Sequence, residues 1–382
     1  MSIFTSFRGT RFSHGLAGRC APPYDVMDDS EVRRWRTHNE NITHVDVPLA
    51  DDGPDPYAVA ATTWHRWHAE GVVTVDPSPT LTAITMRFRD SRGRDRQVAG
   101  VIGAVGLDDT VKGHERTTPK ASTDRLDLTT ATSANLSPIW ALSPARGLTD
   151  VVMSVEPSTE VVLDAVTHQV AIIDDRDVID AVCSLIGSTD LVIADGHHRF
   201  GVAQRYSALP DAPAAAGATM MFVNELVDDQ LAVDAIHRVY PTIDAVSMAE
   251  HLGARGEIHP CGRVDDSVLA RMEASRALCI LGPDGTGQLF IPDTVGESDR
   301  NLDGERLEAI LGSVEVVYQH SLDALLGGAI PSSGCAVLIR PVGVDEILRT
   351  AATGELMPPK STFFTPKLAT GIVMRDLLLP AD

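Results

Sequence analysis

Apolar positions recur along the chain with two different periods, and this pattern predicts interspersed helices and strands. The clearest strand is the branched apolar run at 191–194, which ends at the turn pair Asp195-Gly196. A helix over 199–207 is expected directly after that turn. Further helices are predicted over 30–38, 56–70, 178–186, 247–252, 306–311 and 322–325. Further strands are predicted over 43–49, 79–88, 97–107, 168–173, 220–226, 277–281, 335–340 and 371–374, with a helix or a strand near 151.

This mixture of elements predicts an α+β fold with mixed sheets, in which the strand, turn and helix at 191–207 form one core unit. We expect three regions. An N-terminal α+β region covers 1–147, a middle region covers 148–245, and a C-terminal α/β region covers 246–382. The length of 382 residues is sufficient for such a division.

The charge balance limits the classes of partner. A formal net charge of -21 argues against broad binding to nucleic acid, because it repels phosphate backbones over most of the surface. No apolar run approaches the roughly 18 residues that a membrane-spanning helix needs, and the N-terminus lacks the features of a secretion signal. Five scattered cysteines form neither a disulfide framework nor a metal knuckle. We therefore expect a cytoplasmic protein without a membrane partner, whose oligomeric state is open.

The turn after the strand at 191–194 carries the first group of candidate site residues. Gly196, His197, His198 and Arg199 lie at the start of the predicted helix, where unpaired amide groups and the helix dipole attract anions. This arrangement predicts a cradle for a phosphate or carboxylate. Two alternatives stay open, since Arg199 can instead pair with an acidic neighbour and Asp195 can serve only as a helix cap.

A second group lies in the loop over 112–120. Three cations, a histidine and a glutamate stand close together there against an acidic background: Lys112, His114, Glu115, Arg116 and Lys120. Glu115 is placed to act as a general base or as a magnesium ligand. The alternative is a solvated loop held by internal ion pairs, which contribute little.

A third group lies in the proline-preset stretch over 357–367. Lys360, Ser361 and Thr362 offer a cation and two hydroxyl groups to an anion. A tail that packs Phe363 and Phe364 into the core explains the stretch equally well. The pair Tyr24-Asp25 near the N-terminus has two similar readings, as the wall of a pocket or as the anchor of a turn.

Taken together, these stretches resemble the family of unknown function numbered 1015. Four motifs occur in that family's order: APPYDV near the N-terminus, GHERT followed by a DR pair, IADGHHRF in the middle, and MPPKSTFF near the C-terminus. The likeness covers nearly the whole chain. Four ordered motifs are far more specific than any one of them.

The DGHHR turn also resembles, more distantly, the GxxR turn of the ParB and sulfiredoxin superfamily. In that superfamily the turn grips nucleotide phosphates at a helix N-terminus, and Asp195 is similar to an aspartate of its free-serine-kinase branch. The turn contains no cysteine for sulfiredoxin-like chemistry, and no basic arm for DNA is evident. Among these branches the kinase-like one fits best, and the resemblance implies a ParB/sulfiredoxin-like core over 148–245.

These resemblances imply a phosphotransferase that uses ATP or ADP with Mg²⁺ and acts on the hydroxyl of serine or a similar small amino acid. Alternatives are a nucleotide-binding regulatory protein without turnover and a phosphatase for a phosphoserine-like ester. Catalytic roles would fall to Asp195, Glu115, His198 and His114. Nucleotide contacts would come from Gly196, His197, His198, Arg199, Arg116, Lys360, Ser361 and Thr362, and Glu115 would bind the metal.

Overall fold

The computed structural model describes residues 3–91, 93–115, 119–227, 229–293, 303–354, 356–358 and 360–380. Its helices are α1 (Asp29–Trp35), α2 (Thr43–Asp46), α3 (Pro56–Ala69), α4 (Pro119–Thr132), α5 (Leu148–Ser154), α6 (Arg176–Gly187), α7 (His197–Ser207), α8 (Ala245–Gly253), α9 (Asp266–Ser275), α10 (Asp303–Leu311), α11 (Leu322–Ala324) and α12 (Val344–Thr353). Short 3₁₀ turns lie at Tyr24–Val26 and Ala214–Gly217, and a π turn lies at Leu325–Ala329.

The strands alternate with these helices along the chain. They are β1 (Phe4–Thr5), β2 (Thr10–Phe12), β3 (Val73–Val75), β4 (Leu81–Arg89), β5 (Asp95–Gly106), β6 (Val111–Lys112), β7 (Ala134–Asn135), β8 (Ile139–Ser143), β9 (Thr159–Leu163), β10 (Val166–Ile173), β11 (Leu191–Asp195), β12 (Ala218–Glu225), β13 (Ala232–Asp234), β14 (His237–Tyr240), β15 (Gly256–Arg263), β16 (Leu278–Leu281), β17 (Thr286–Pro292), β18 (Val317–Gln319), β19 (Cys335–Leu338), β20 (Phe363–Thr365) and β21 (Arg375–Asp376).

The α+β class with mixed sheets is confirmed. The chain forms two compact units, of which the first contains residues 1–113, 117–232 and 365–382 and the second contains 114–116 and 233–364. The three regions expected from the sequence stay a prediction. Among the described residues, no helix is long and apolar enough to cross a membrane.

The first unit is built on a nine-stranded sheet with the order β6-β11-β8-β12-β5-β4-β10-β9, to which β1 is added on β5. The predicted hairpin of β4 and β5 is present and antiparallel. In contrast, β11 runs parallel to β6, and β12 runs parallel to β8. Because β6 and β11 are parallel, their carboxyl ends lie at the same edge of the sheet.

Local signals account for the helices around this sheet. Asp55 caps α3, which has Pro56 at its first position, and Asp175 caps α6. The apolar face of α6 is buried against the sheet in the main core of the unit. A separate core forms around Trp64 and Trp67 of α3, both about 1% exposed.

The second unit is built on a six-stranded sheet with the order β15-β17-β16-β19-β14-β18, antiparallel in every described pair. Alternate side chains of its strands feed two cores. Cys279 and Leu281 belong to one core, whereas Leu278 and Ile280 belong to the other. This two-residue alternation is what a sheet covered on both faces requires.

Two predicted strands are wrong. Residues 43–49 begin with the short helix α2, because the Asn41 side chain accepts hydrogen bonds from both the backbone N–H and the hydroxyl of Thr43 and so turns the chain. Residues 371–374 form no strand either. They are buried, but within the described chain their pairing is limited to an isolated bridge between Met374 and Thr10, and β21 starts one residue later.

Candidate functional site

The predicted strand, turn and helix are present in the first unit as β11 and α7. Leu191 to Ala194 are buried, so the strand lies inside the sheet up to Asp195. Gly196 then adopts a φ of 95°, a left-handed conformation that glycine reaches without steric cost. The helix begins at His197, two residues earlier than predicted.

The N-terminus of α7 carries no side-chain cap. Gly196 is the N-cap residue, so the alternative in which Asp195 caps the helix is wrong. The first backbone bond of the helix runs from the N–H of Phe200 to the carbonyl oxygen of Gly196. The N–H groups of His197, His198 and Arg199 therefore lie at the positive end of the helix without acceptors inside it.

Asp195 is held by two cations from distant parts of the chain. Its Oδ1 accepts a hydrogen bond from Nζ of Lys367 at 2.5 Å, and its Oδ2 accepts one from Nη2 of Arg199 at 2.7 Å. The same guanidinium donates to the carbonyl oxygen of Pro138. Burial alone raises the pKa of Asp195, but Lys367 and Arg199 outweigh it and hold that pKa well below its usual range. Asp195 is therefore ionised at neutral pH.

His197 lies beside the end of β6, where a Cβ atom placed on Gly113 would make an ordinary contact of 3.4 Å with Cδ2 of its ring. Burial lowers the pKa of His197 to about 4, against the opposing effect of Asp195. At neutral pH this imidazole is neutral and offers hydrogen bonds rather than charge. Lys367 and Arg199 supply positive charge at the turn.

Two residues of the second group, His114 and Glu115, contact the third group within the second unit. Both carboxylate oxygens of Glu115 accept backbone hydrogen bonds, from the N–H of Lys360 at 2.8 Å and from the N–H of Ser361 at 3.0 Å. His114 is fully buried, and its Nε2 lies 3.1 Å from Oγ1 of Thr362. Within the described residues, His114 and Glu115 therefore form one cluster with Lys360, Ser361 and Thr362.

Glu115 has a structural role in this cluster. Its carboxylate holds the loop at 360–361, where Lys360 adopts a positive φ of 60° and its carbonyl oxygen accepts a hydrogen bond from buried Arg238. Among the described residues, no three His, Cys, Asp or Glu side chains form a group that could hold a metal ion. Arg116 lies outside the described residues, and its predicted role stays a prediction.

Within the first unit, a further set of interactions involves the APPYDV motif, the DR pair and Arg199 of the DGHHR turn. The guanidinium of Arg125, from the DR pair, lies 4.1 Å from the ring centroid of Tyr24, from the APPYDV motif. The pKa of Tyr24 is raised to about 12, chiefly by burial and by Asp25, although Arg199 and Arg125 act in the opposite direction. Tyr24 begins the 3₁₀ turn Tyr24–Val26, and both readings of the pair Tyr24-Asp25 stay predictions.

The sequence analysis did not identify the roles of three residues around Arg199. Lys367 lies in a stretch singled out for its other residues, and Asp46 lies in a segment wrongly predicted as a strand. Arg125 follows the GHERT loop but carries no signal that it reaches Tyr24. One available hint is the rarity of lysine in this acidic chain, which makes each lysine a candidate partner for a carboxylate.

Residues 4–300 match the family described as protein of unknown function DUF1015. The chain belongs to this family. All of the motifs that form the Asp195 turn, and those that contain Tyr24, Asp124 and Glu115, lie inside the matched range of the DUF1015 chain. No curated protein matches the chain.

Solved structures with a similar fold come from several proteins. The DUF1015 chain is similar to SbnI with a C-terminal truncation from Staphylococcus aureus, at 14% identity and a TM-score of 0.43, over 74% of this chain and 90% of the other. It is also similar to a free serine kinase in complex with AMP, at 14% identity and a TM-score of 0.39, over 70% of this chain and 87% of the other. A mutant of free serine kinase in complex with ADP gives 14% identity and a TM-score of 0.41, over 70% and 87% of the two chains.

Proposed function

We propose that this protein is a nucleotide-dependent phosphotransferase that acts on the hydroxyl of serine or a similar small amino acid. One observation carries the proposal. The uncapped N-terminus of α7 follows directly on a carboxylate, Asp195, whose two oxygens are held by Lys367 and Arg199. A phosphate-binding helix end, two cations and an ionised carboxylate are the groups that phosphoryl transfer requires.

The phosphates of the nucleotide would bind at the N-terminus of α7. The N–H groups of His197, His198 and Arg199 provide donors there, and the left-handed Gly196 leaves no side chain between them and a ligand. The neutral imidazole of His197 can add a hydrogen bond without a charge. Lys367 supplies the positive charge that the transferred group needs as negative charge spreads over its oxygens.

The reaction balances without a further reactant. The acceptor's hydroxyl oxygen forms a bond to the terminal phosphorus of ATP or ADP, and the bond from that phosphorus to the bridging oxygen breaks. The hydroxyl proton passes to a carboxylate, and the nucleotide leaves with one phosphate fewer. In a loose transition state the proton is transferred late, so the weakly basic Asp195 suffices as its acceptor.

Glu115 is the second candidate for that acceptor and the proposed ligand of Mg²⁺. Each of its oxygens accepts one backbone hydrogen bond and keeps a further lone pair, which fits a metal that is held mainly by phosphates and one or two carboxylates. Mg²⁺ would neutralise the phosphate charge. His114, Lys360, Ser361 and Thr362 belong to the same proposal as groups that bind phosphate oxygens.

The test combines binding with product detection. A thermal-shift panel of nucleotides with Mg²⁺ should show stabilisation by ATP or ADP, and the shift should decrease in His198→Ala. Phosphorus NMR with serine should then show a phosphoserine signal together with ADP or AMP. A shift without product would favour the regulatory binding protein, and release of inorganic phosphate from phosphoserine would favour the phosphatase. If no nucleotide stabilises the protein, the proposal is wrong.

A further inference from the structure

A cleft opens in the first unit between α4 and α7, and Arg199 lines one of its walls. Its free volume is about 50 Å³. Its walls combine apolar side chains such as Val202 and Leu377 with three charged groups, Asp46, Arg125 and Arg199. Apolar walls with a few charged groups are typical of sites for small molecules.

Asp46 is the unusual member of this wall. Its side chain is 4% exposed, and its Oδ2 is buried without a hydrogen-bond partner among the described residues. Its Oδ1 lies 3.5 Å from Nη1 of Arg125. Burial raises the pKa of Asp46, although Arg125 and Arg199 act against that rise. A buried carboxylate oxygen without a donor costs free energy, so this position favours a ligand that brings a donor.

The two arginines of the wall offer the opposite chemistry. Arg125 donates through Nε to Asp124 and through Nη1 to the backbone oxygen of Asp46, whereas its Nη2 donates to no described residue. Arg199 donates through Nη1 and Nη2, whereas its Nε donates to no described residue. Each guanidinium group therefore keeps at least one N–H without an acceptor among the described residues, and such a group binds carboxylates well.

We propose that this cleft binds a small zwitterion, a molecule with an ammonium and a carboxylate group, as in a free α-amino acid. The ammonium donates to Oδ2 of Asp46, and the carboxylate accepts from Arg125 and Arg199. A simple anion would leave Asp46 without a partner and would be repelled by it. A simple cation would be repelled by the two guanidinium groups.

Arg199 links this cleft to the DGHHR turn, because the same guanidinium lines the cleft and pairs with Asp195. A zwitterion in the cleft is therefore placed as the acceptor of the phosphoryl group. This assignment as acceptor rests on the proposed function, whereas the binding itself does not.

Wild-type protein provides the first test, by isothermal titration without nucleotide. The ligands are the twenty free amino acids, with ethanolamine and glycerate as serine analogues that lack the carboxylate and the ammonium respectively. We expect at least one amino acid to bind. If serine is the one that binds, each analogue should bind at least about tenfold more weakly, as the loss of one charged hydrogen-bond partner implies. The proposal is overturned if no amino acid binds, or if serine and an analogue bind equally well.

Variants then locate the site. Asp46→Asn should weaken amino-acid binding about tenfold or more and leave glycerate binding unchanged or stronger, whereas Arg125→Gln should weaken both. Asp76→Asn is the matched control, because Asp76 pairs with Arg11 at 3.0 Å in the same unit and does not line the cleft. Wild-type affinity in Asp46→Asn would contradict the assignment.

If Asp46→Asn does not fold, the comparison of serine with its analogues on the wild-type protein still tests whether the cleft binds a zwitterion.

The experiments distinguish a failure of the proposed function from a failure of the cleft assignment. Amino-acid binding without phosphoryl transfer would refute only the proposed function. Transfer in Asp46→Asn with an unchanged KM for the amino acid would refute only the cleft assignment.

Discussion

Lys367 and Asp195 form an ion pair of 2.5 Å between positions 172 residues apart in the chain. Their side chains are 13% and 18% exposed, so the pair is largely removed from solvent. It fastens the C-terminal segment of the first unit to the carboxyl end of β11. The position of the C-terminal segment therefore depends on Asp195, which lies just before the proposed phosphate-binding end of α7.

Replacing the lysine tests this dependence. Lys367→Met removes a charge that lowers the pKa of Asp195, so that pKa should rise towards its usual range, which carbon-detected NMR of the carboxyl can measure. The free energy of unfolding, from urea titration, should fall by roughly 1–3 kcal/mol. Phosphoryl transfer should fall about 100-fold or more. Lys112→Met is the control, because that ammonium is 40% exposed and lies 3.9 Å from Asp190. Equal effects of the two variants would contradict the assigned role.

The helix end can be tested with two glycines in the same conformation. Gly196 and Gly147 are both N-cap residues, with φ values of 95° and 102°. Alanine at either position should cost roughly 1–2 kcal/mol of stability, since both φ values are left-handed. At Gly196 the new Cβ would also lie 3.0 Å from Nε of Arg199, whereas nothing lies within 4 Å at Gly147. Thermal shifts with ATP should therefore be lost in Gly196→Ala and kept in Gly147→Ala. Retention in both would place the phosphates elsewhere.

Glu115 should act as a clamp on the loop at 360–361. In Glu115→Gln one of the two acceptor oxygens becomes an amide that cannot accept a backbone N–H, and the charge of the other is lost. Hydrogen exchange of the Lys360 and Ser361 amides should become about tenfold faster or more. Glu257→Gln provides the control, because Glu257 is exposed and contacts His259 in the same unit. Unchanged exchange would mean that the clamp contributes nothing. A changed Mg²⁺ dependence of transfer would support the metal role.

Acid should destabilise the first unit through His168. This residue of β10 is 1% exposed, and burial lowers its pKa to about 4 from an ordinary value of 6.5. Between these two pH values the unfolded chain binds more protons than the folded one. The stability contributed by the neutral ring is therefore complete above pH 6.5 and is lost as the pH falls towards 4, by up to about 3 kcal/mol.

His168→Phe should reduce this dependence on pH, as measured by urea titrations at intervals between about pH 4 and 7. His65→Phe changes an exposed histidine and should leave the dependence as in the wild type. A wild-type slope in His168→Phe would show that other groups account for the acid sensitivity.

Much of the fold follows from local signals in the sequence. The run at 191–194 and the pair Asp195-Gly196 predict a strand, a turn and a helix, and the structure has all three. The segment at 43–49 is a case in which the local pattern predicts the wrong element. Its alternation resembles a strand, but the Asn41 side chain sets a helical turn at Thr43, and a hydrophobicity pattern does not contain that hydrogen bond.

The candidate site divides in the same way. The sequence motifs alone single out His114, Glu115 and residues 360–362 as candidate site residues. Only the fold shows that these residues hydrogen-bond with one another. The charges of the side chains at the DGHHR turn could also be assigned only from the fold. Burial in the folded chain keeps His197 neutral at neutral pH, and the sequence does not show that burial.

The sequence by itself determined the α+β class, the turn at Asp195-Gly196 and the family motifs, because each depends on neighbours within a few positions. Only the tertiary structure decided that Lys367 pairs with Asp195 and that Asp46, Arg125 and Arg199 line one cleft. Ion pairing and burial depend on distances in space between residues that are far apart in the chain. The periodicity of apolar residues and the spacing of motifs in the sequence do not contain those distances.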